Sequence, residues 1–287
     1  MTVIWELDFY SRPILDEQNK KVWEVLVCES PLRMDSQPEQ LFRYHQFCPS
    51  TQVNSVWLKT ALQDAIAQAP KPPSKIRFFR QAMNNMITKA CEELGLLAQL
   101  SRRTFSLNQW LQQRFQDVYP TLAGYQASNN PSVSFATTPP QPLPDALIGQ
   151  QWAFVTLEAS AFADMNEWKI DFGESFPLSL TGVAPGTPIP GMVIFSSRAL
   201  PLAAWMSGLE LACLKFDAET TPRLLLETGI NDRWTLASLP TPVLQTEAKN
   251  FEATKRQAQQ VHFLAIQADP NTEAFAGFWL LQEVNLA

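Results

Sequence analysis

Three carboxylates stand close together near the start of the chain: Glu6 and Asp8 in Ile4–Pro13 (IWELDFYSRP), and Glu24 in Lys21–Val25 (KVWEV). Acids on paired strands are how many nucleases grip divalent metal ions for phosphodiester hydrolysis. A ribonuclease-H-type site takes one acid from the first strand, another from the first helix and a third from the end of the fourth strand. Asp8 fits the first position and Asp64 the second. Where the third is required, after Lys75–Phe79 (KIRFF), the chain carries Arg80, a cation that would repel the metal. The acids are therefore expected to face solvent or to be hydrogen-bonded, with Arg12, Lys20 and Lys21 as the nearest cations. No catalytic residue, metal or cofactor is assigned.

The charge distribution suggests different chemistry. The net charge of −6 divides unevenly: residues 1–125 carry 14 Lys/Arg against 12 Asp/Glu, and residues 126–287 carry 8 against 16. Within residues 71–114 lie eight basic side chains and only Glu92 and Glu93 as acids. Such a run suits a polyanion. In KIRFFRQAMNN, Lys75, Arg77 and Arg80 could neutralise phosphates while Phe79 stacks on an unpaired base, with Arg102 and Arg103 near in sequence. Arg12 and Lys21 form a second candidate phosphate contact. The competing reading is a strand whose Ile76 and Phe78 face a core while its basic residues point outward.

Other signals are weaker. His45 and His262 are far apart, and Cys28, Cys48, Cys91 and Cys213 include no C-x-x-C pair, so no zinc spacing exists and buried thiols in a reducing compartment are expected. Asp171–Gly173 reads DFG, but no Gly-rich loop or H-R-D accompanies it. Residues 176–192 hold four prolines and three glycines, which could form a rigid binding loop or a packed crossing between strands. No apolar run reaches the length of a membrane span, and the start of the chain carries no targeting pattern, so a cytoplasmic location is expected.

The elements that must hold these residues follow from periodicity. Val3–Tyr10 alternates, with Trp5, Leu7 and Phe9 on one face and Glu6, Asp8 and Tyr10 on the other. Val22–Cys28 reads as its partner across the turn Asp16–Lys20, and Leu41–Phe47 as a third strand. Val53–Ala69 is helical and stops at Pro70, residues 75–80 form a short strand, and Met83–Leu97 a second helix. A third helix starts with Ser106 as N-cap and Gln109 closing a capping box. The order is β-β-β-α-β-α-α, an order that ribonuclease-H-like folds share with many other α+β domains; a ribonuclease-H-like domain here would be inactive.

The fold class is α+β in two domains. Residues 1–125 form an N-terminal mixed sheet containing the basic segment 71–114. Residues 126–150, with five prolines, form an extended linker. Residues 151–287 form an acidic, strand-rich α+β domain. Its strands are expected at 152–158, 192–196, 212–216, 223–228, 234–238, 261–267 and 277–283, and its helices at 200–209 and 246–260.

The segments WELDFYSRPILDEQNKKVWEVLVCES, FCPSTQVNSVWL, KIRFFRQAMNNMI, PIPGM and GFWLLQE together resemble the Tab-two/A-Tab-two family, from Trp5 to Glu283. These are RNA-binding translation activators for photosystem I reaction-centre messages. The resemblance implies a non-enzymatic factor of cyanobacterial type that binds single-stranded, A/U-rich untranslated RNA. The acidic half is left to serve a protein partner. No residue-level RNA contacts carry over from the family.

Overall fold

Strict alternation builds the first strand, β1 (Ile4–Leu15), in a computed structural model that describes residues 2–127, 138–219 and 221–284. Asp16 turns the chain back: its carboxylate accepts the backbone N–H groups of Gln18 and Lys20 at 2.9 Å each, and Asn19 takes φ +61°. The return strand β2 (Lys21–Glu29) pairs antiparallel with β1, Asp8 opposite Leu26 and Tyr10 opposite Glu24. The register shifts between Ser11 and Leu15. Pro13 lies inside that irregularity, where its missing N–H costs the ladder nothing.

β3 (Arg43–Cys48) pairs antiparallel with β2 and forms one edge of the sheet. Helix α1 (Ser55–Gln68) starts where the Asn54 side chain accepts the Trp57 N–H at 2.9 Å. It buries Leu58, Ala61, Leu62 and Ala65, while Val56 stays exposed. β4 (Lys75–Phe78) then lies parallel to β1.

Helix α2 (Asn84–Glu92) is shorter than predicted. Gly95 at φ +68° lets the Leu96 N–H return to the Cys91 carbonyl, which ends the helix. Leu97–Leu100 is thereby released to form β5, parallel to β4. The predicted order lacked this strand. Helix α3 (Phe105–Gln113) follows and continues through the π-helical turn Arg114–Val118. Its N-cap is Thr104, not Ser106, and Thr104 makes no side-chain capping bond.

The resulting sheet runs β3-β2-β1-β4-β5. Three antiparallel strands joined across β1 to two parallel ones make a ribonuclease-H-like mixed sheet. Trp5, Leu7, Phe9, Val25, Ile76 and Phe78 pack with α1 and α2 on one face. α3 packs on β1 and β2, against the opposite face.

Contacts divide the chain into two compact units, one drawn from Met1–Ser30 and Gln37–Ser134, the other from Pro31–Ser36 and Phe135–Val284. Part of the proline-rich stretch, residues 128–137, lies outside the described residues. Beyond it, Gln141–Pro142 (β6) stays exposed but pairs in parallel with a later strand, and Leu143 is buried.

The second unit is α+β. β7 (Gln151–Glu158), β8 (Ile170–Glu174), β9 (Pro188–Phe195), β13 (Val261–Gln267) and β14 (Phe275–Gln282) form a sheet in the order β7-β9-β13-β14-β8. β10 (Leu211–Asp217), β11 (Arg223–Thr228) and β12 (Asp232–Ser238) form a second with β6. Side chains from both sheets and from helices α4 (Ala199–Ser207) and α5 (Pro242–Gln257) make one core. The stiff PIPGM segment enters β9, and a Cβ on Gly191 would overlap the Phe263 ring. Asp171–Gly173 falls within β8, where a Cβ on Gly173 would overlap the Phe278 carbonyl. Close packing explains this glycine without any kinase chemistry.

Candidate functional site

The polar face of β1 and β2 is covered by α3, so its acids are buried rather than solvated: Glu6 and Asp8 are each 1% exposed and Glu24 0%. Buried carboxylates persist only when paired or hydrogen-bonded. Each of the three has a distinct solution.

Glu6 caps a helix. Its Oε2 accepts the backbone N–H of Leu107 at 2.7 Å, and its Oε1 accepts the Ser30 hydroxyl at 2.8 Å. Leu107 sits in the first turn of α3, so this carboxylate takes the place of the N-cap side chain that Thr104 does not supply.

Asp8 lies between two guanidinium groups. Arg12 Nη1 donates to Oδ2 at 2.8 Å, and Arg80 Nε donates to Oδ1 at 2.6 Å. Burial alone would raise the pKa of Asp8, but attraction to Arg80 and Arg12 outweighs it and holds the carboxyl below its usual range. The Arg80 guanidinium also lies 4.0 Å from the centre of the Tyr10 ring.

Glu24 collects donors from four elements. Arg12 Nε donates to Oε2 at 3.0 Å, the Tyr119 hydroxyl donates to Oε2 at 2.6 Å, and Arg114 donates to Oε1. His45 Nδ1 stands 3.4 Å from Oε1. Burial opposes ionisation of Glu24, and His45, Arg12, Tyr119 and Arg114 together overcome it and lower its pKa. The Tyr119 hydroxyl moves the other way, its pKa raised mainly by burial.

This arrangement cannot work as the nuclease site considered above. Asp64 is exposed on α1, near Tyr44 on the sheet face opposite Asp8. Arg80 occupies the place of the third acid and ion-pairs with the first. Among the described residues, no group of three His, Cys, Asp or Glu side chains is placed to hold a metal ion.

The candidate RNA contacts fare unevenly. Arg12, Arg77, Phe79, Arg80 and Arg103, named above as candidate RNA contacts, are all 5% exposed or less, and Arg77 and Arg80 do not point outward as the competing reading of that strand had them. Arg12 and Arg80 serve the acid network. Arg77 holds the register position beside Glu6 on the parallel strand, and Phe79 is fully packed. Lys75 and Arg102 are half-buried, and Lys21 is exposed beside the hairpin turn.

The second unit has its own buried charges. Lys255, 0% exposed, donates to the Leu214 carbonyl at 2.9 Å and to Glu252 and Glu283 at 3.1 and 2.9 Å. His262 Nε2 accepts the Leu214 N–H at 2.8 Å, so the proton sits on Nδ1, facing the Gln260 carbonyl at 2.9 Å. Both side chains tie β10 to its neighbours.

Residues 4–114 match a family model described as RNA-binding protein Tab2/Atab2 N terminal, and residues 130–282 match its C-terminal domain. The chain belongs to the Tab2/Atab2 family. It is 42% identical over 285 residues to a chloroplastic TAB2 homolog of Arabidopsis thaliana, covering 96% of this chain and 74% of the relative. A chloroplastic TAB2 homolog of Zea mays is 39% identical over 287 residues, covering 98% and 71%.

The hairpin that carried the Tab2/Atab2 resemblance now has a physical meaning in this chain. In WELDFYSRP, Trp5 fills the core, Glu6 caps α3, Asp8 binds two arginines, and Arg12 reaches Glu24 of KVWEV. One surface feature escaped the sequence reading. On edge strand β3, His45 and Phe47 project on the α3 side with ring centroids 6.2 Å apart, and Trp110 of α3 meets His45 edge-on at 6.5 Å. The signal was present as Arg43, His45 and Phe47 at alternate positions of a strand.

Proposed function

We propose that this chain is a non-enzymatic RNA-binding factor that supports translation or biogenesis of photosystem reaction-centre proteins, acting in the cytoplasm on single-stranded, A/U-rich untranslated RNA. The observation that carries the reading is the match of both halves of the chain to family models described as RNA-binding. The absence of enzymatic cleavage is supported by Asp8, whose lone pairs are directed at Arg12 and Arg80. Among the basic residues considered, Lys21, Lys75 and Arg102 are assigned to phosphate contact, because the remaining arginines lie inside the fold.

The test is binding of labelled A/U-rich RNA by the full chain across a salt series. Each phosphate contact contributes a slope of about −0.7 to log K against log salt. Charge reversal at Lys21 and Arg102 should weaken binding and flatten the slope. No salt-sensitive binding at micromolar protein would refute the reading.

A second reading, docking of a photosystem subunit by the acidic unit, is favoured by a groove of about 540 Å³ lined by Met34, Ala163, Leu178, Val183 and Pro185. Co-purification that survives nuclease treatment and requires residues 150–287 would support it, and loss on nuclease treatment would refute it.

A further inference from the structure

We propose that the outer strand of the N-terminal sheet is a stacking platform for unpaired RNA bases, formed by Phe47 and His45 with Arg43 as its adjoining cation. The proposal rests on the RNA-binding reading and gives it a place.

Among the described residues, Phe47 is the only Phe, Trp or Tyr side chain that is exposed, the others being buried or half-buried. Phe47 keeps 37% of its surface exposed. His45 beside it has 48% of its side chain exposed.

Alternation along β3 puts positions 43, 45 and 47 on one face, about 7 Å apart in succession. The rings of His45 and Phe47 meet edge to face at 78°, so the two do not stack face to face on each other. Base stacking needs an open ring face and tolerates any base. Trp110 supports the platform from α3, and the Arg43 guanidinium lies 5.4 Å from the centre of the Trp110 ring. A cation is thereby held beside the rings, where a phosphate of a stacked nucleotide would pass.

Two features keep the patch open to a polyanion. The only carboxylate against His45 in the acid network is Glu24, which Arg12, Arg114 and Tyr119 already engage, so the ground beneath the platform is not repulsive. β3 is also the last strand of its sheet, and among the described residues no further strand pairs with its outer edge.

The experiment measures affinity of the full chain for labelled oligouridine and for an abasic ribose-phosphate oligomer of equal length. The variants are Phe47→Ala, His45→Ala and Phe47→Trp. The two alanine variants should weaken oligouridine binding by about five-fold to a hundred-fold and leave abasic binding and the salt slope unchanged. Phe47→Ala should also unfold at the wild-type temperature, whereas His45→Ala, which removes a partner of Glu24, is compared at a temperature where it is fully folded. Phe47→Trp should bind oligouridine at least as well as wild type. Alanine variants that bind oligouridine normally, or that lose both probes equally, would overturn the platform while leaving RNA binding intact. Wild-type protein that binds neither probe would overturn the RNA-binding reading itself, and the platform with it.

Discussion

Replacing Arg12 by Met separates its two candidate roles, phosphate contact and internal counterion. The substitution keeps much of the aliphatic stem and removes the charge with three donors: to Asp8 at 2.8 Å, to the Glu24 carboxylate at 3.0 Å and to the Glu24 carbonyl at 3.4 Å. Hydrogen bonds to charged groups each contribute roughly 1.5–3 kcal/mol, so the two to carboxylates set a gross loss of about 3–6 kcal/mol. Asp8 keeps Arg80, and Glu24 keeps Arg114 and Tyr119, so neither acid is left alone. The net cost should therefore fall near the low end of that for breaking a buried ion pair, about 3–4 kcal/mol.

Because the chain has two units, a single unfolding curve would mix their transitions. Hydrogen exchange resolved by peptide reads each unit separately. Exchange in the β1–β2 core should rise by about a hundred-fold to a thousand-fold, while β9 and β13 in the other unit stay protected. At a temperature where both proteins are folded, RNA affinity should change less than about two-fold. Weakened RNA binding with unchanged β1–β2 exchange would refute the argument and return Arg12 to the surface chemistry that the sequence suggested.

Three further outcomes are expected. Glu6→Gln should cost about 1–2 kcal/mol and loosen the first turn of α3, seen as faster exchange around Leu107, because a neutral amide caps a helix N-terminus less well than a carboxylate. The folded-state pKa values of Asp8 and Glu24 are depressed, so their contribution is fully present above the unfolded-state value of about 4 and lost as pH falls below it. Protection of the β1–β2 core, read by peptide-resolved hydrogen exchange corrected for intrinsic rates, should stay constant from about pH 8 to 5 and weaken below about 4, and a plateau that persists down to pH 3 would count against the network. Gly191→Ala should destabilise the second unit by about 2 kcal/mol or more, since its Cβ meets the Phe263 ring across parallel strands; an unchanged midpoint would refute that packing argument.

Local regularities were legible in the sequence, and long-range pairings were not. Trp5, Leu7 and Phe9 announced a strand face, Pro70 ended the first helix, and the turn at Asp16–Lys20 placed the hairpin. β5 was missed because Leu94 and Leu97 extend the helical spacing of α2, although Gly95 was a readable stop. β8 was missed because five residues with an Asp and a Gly make no convincing strand until β14 supplies a parallel partner. The alternating polar face of β1 left solvent and buried hydrogen-bond partners both open, since period-2 patterning cannot tell water from a covering helix.

The decisive ion pairs and capping bond span large sequence distances: 72 residues from Arg80 to Asp8, 90 from Arg114 to Glu24, and 101 from the Leu107 N–H to Glu6. A charge sum over residues 71–114 therefore counts buried and exposed arginines alike, though they differ in consequence. The acidic hairpin and part of the basic segment belong to one internal layer, each supplying the counterions without which the other could not be buried. Exchanging an acid for Arg80 also changes the chemistry open to this sheet. The carboxylate on β1 that could have gripped a metal instead ties β1 to the end of β4, and the same hairpin fixes α3 through Glu6 and Glu24. What remains for a nucleic acid is then not the basic segment as a block but the surface this layer supports. There, α3 braces His45 through Trp110 and leaves Phe47 open at the sheet edge.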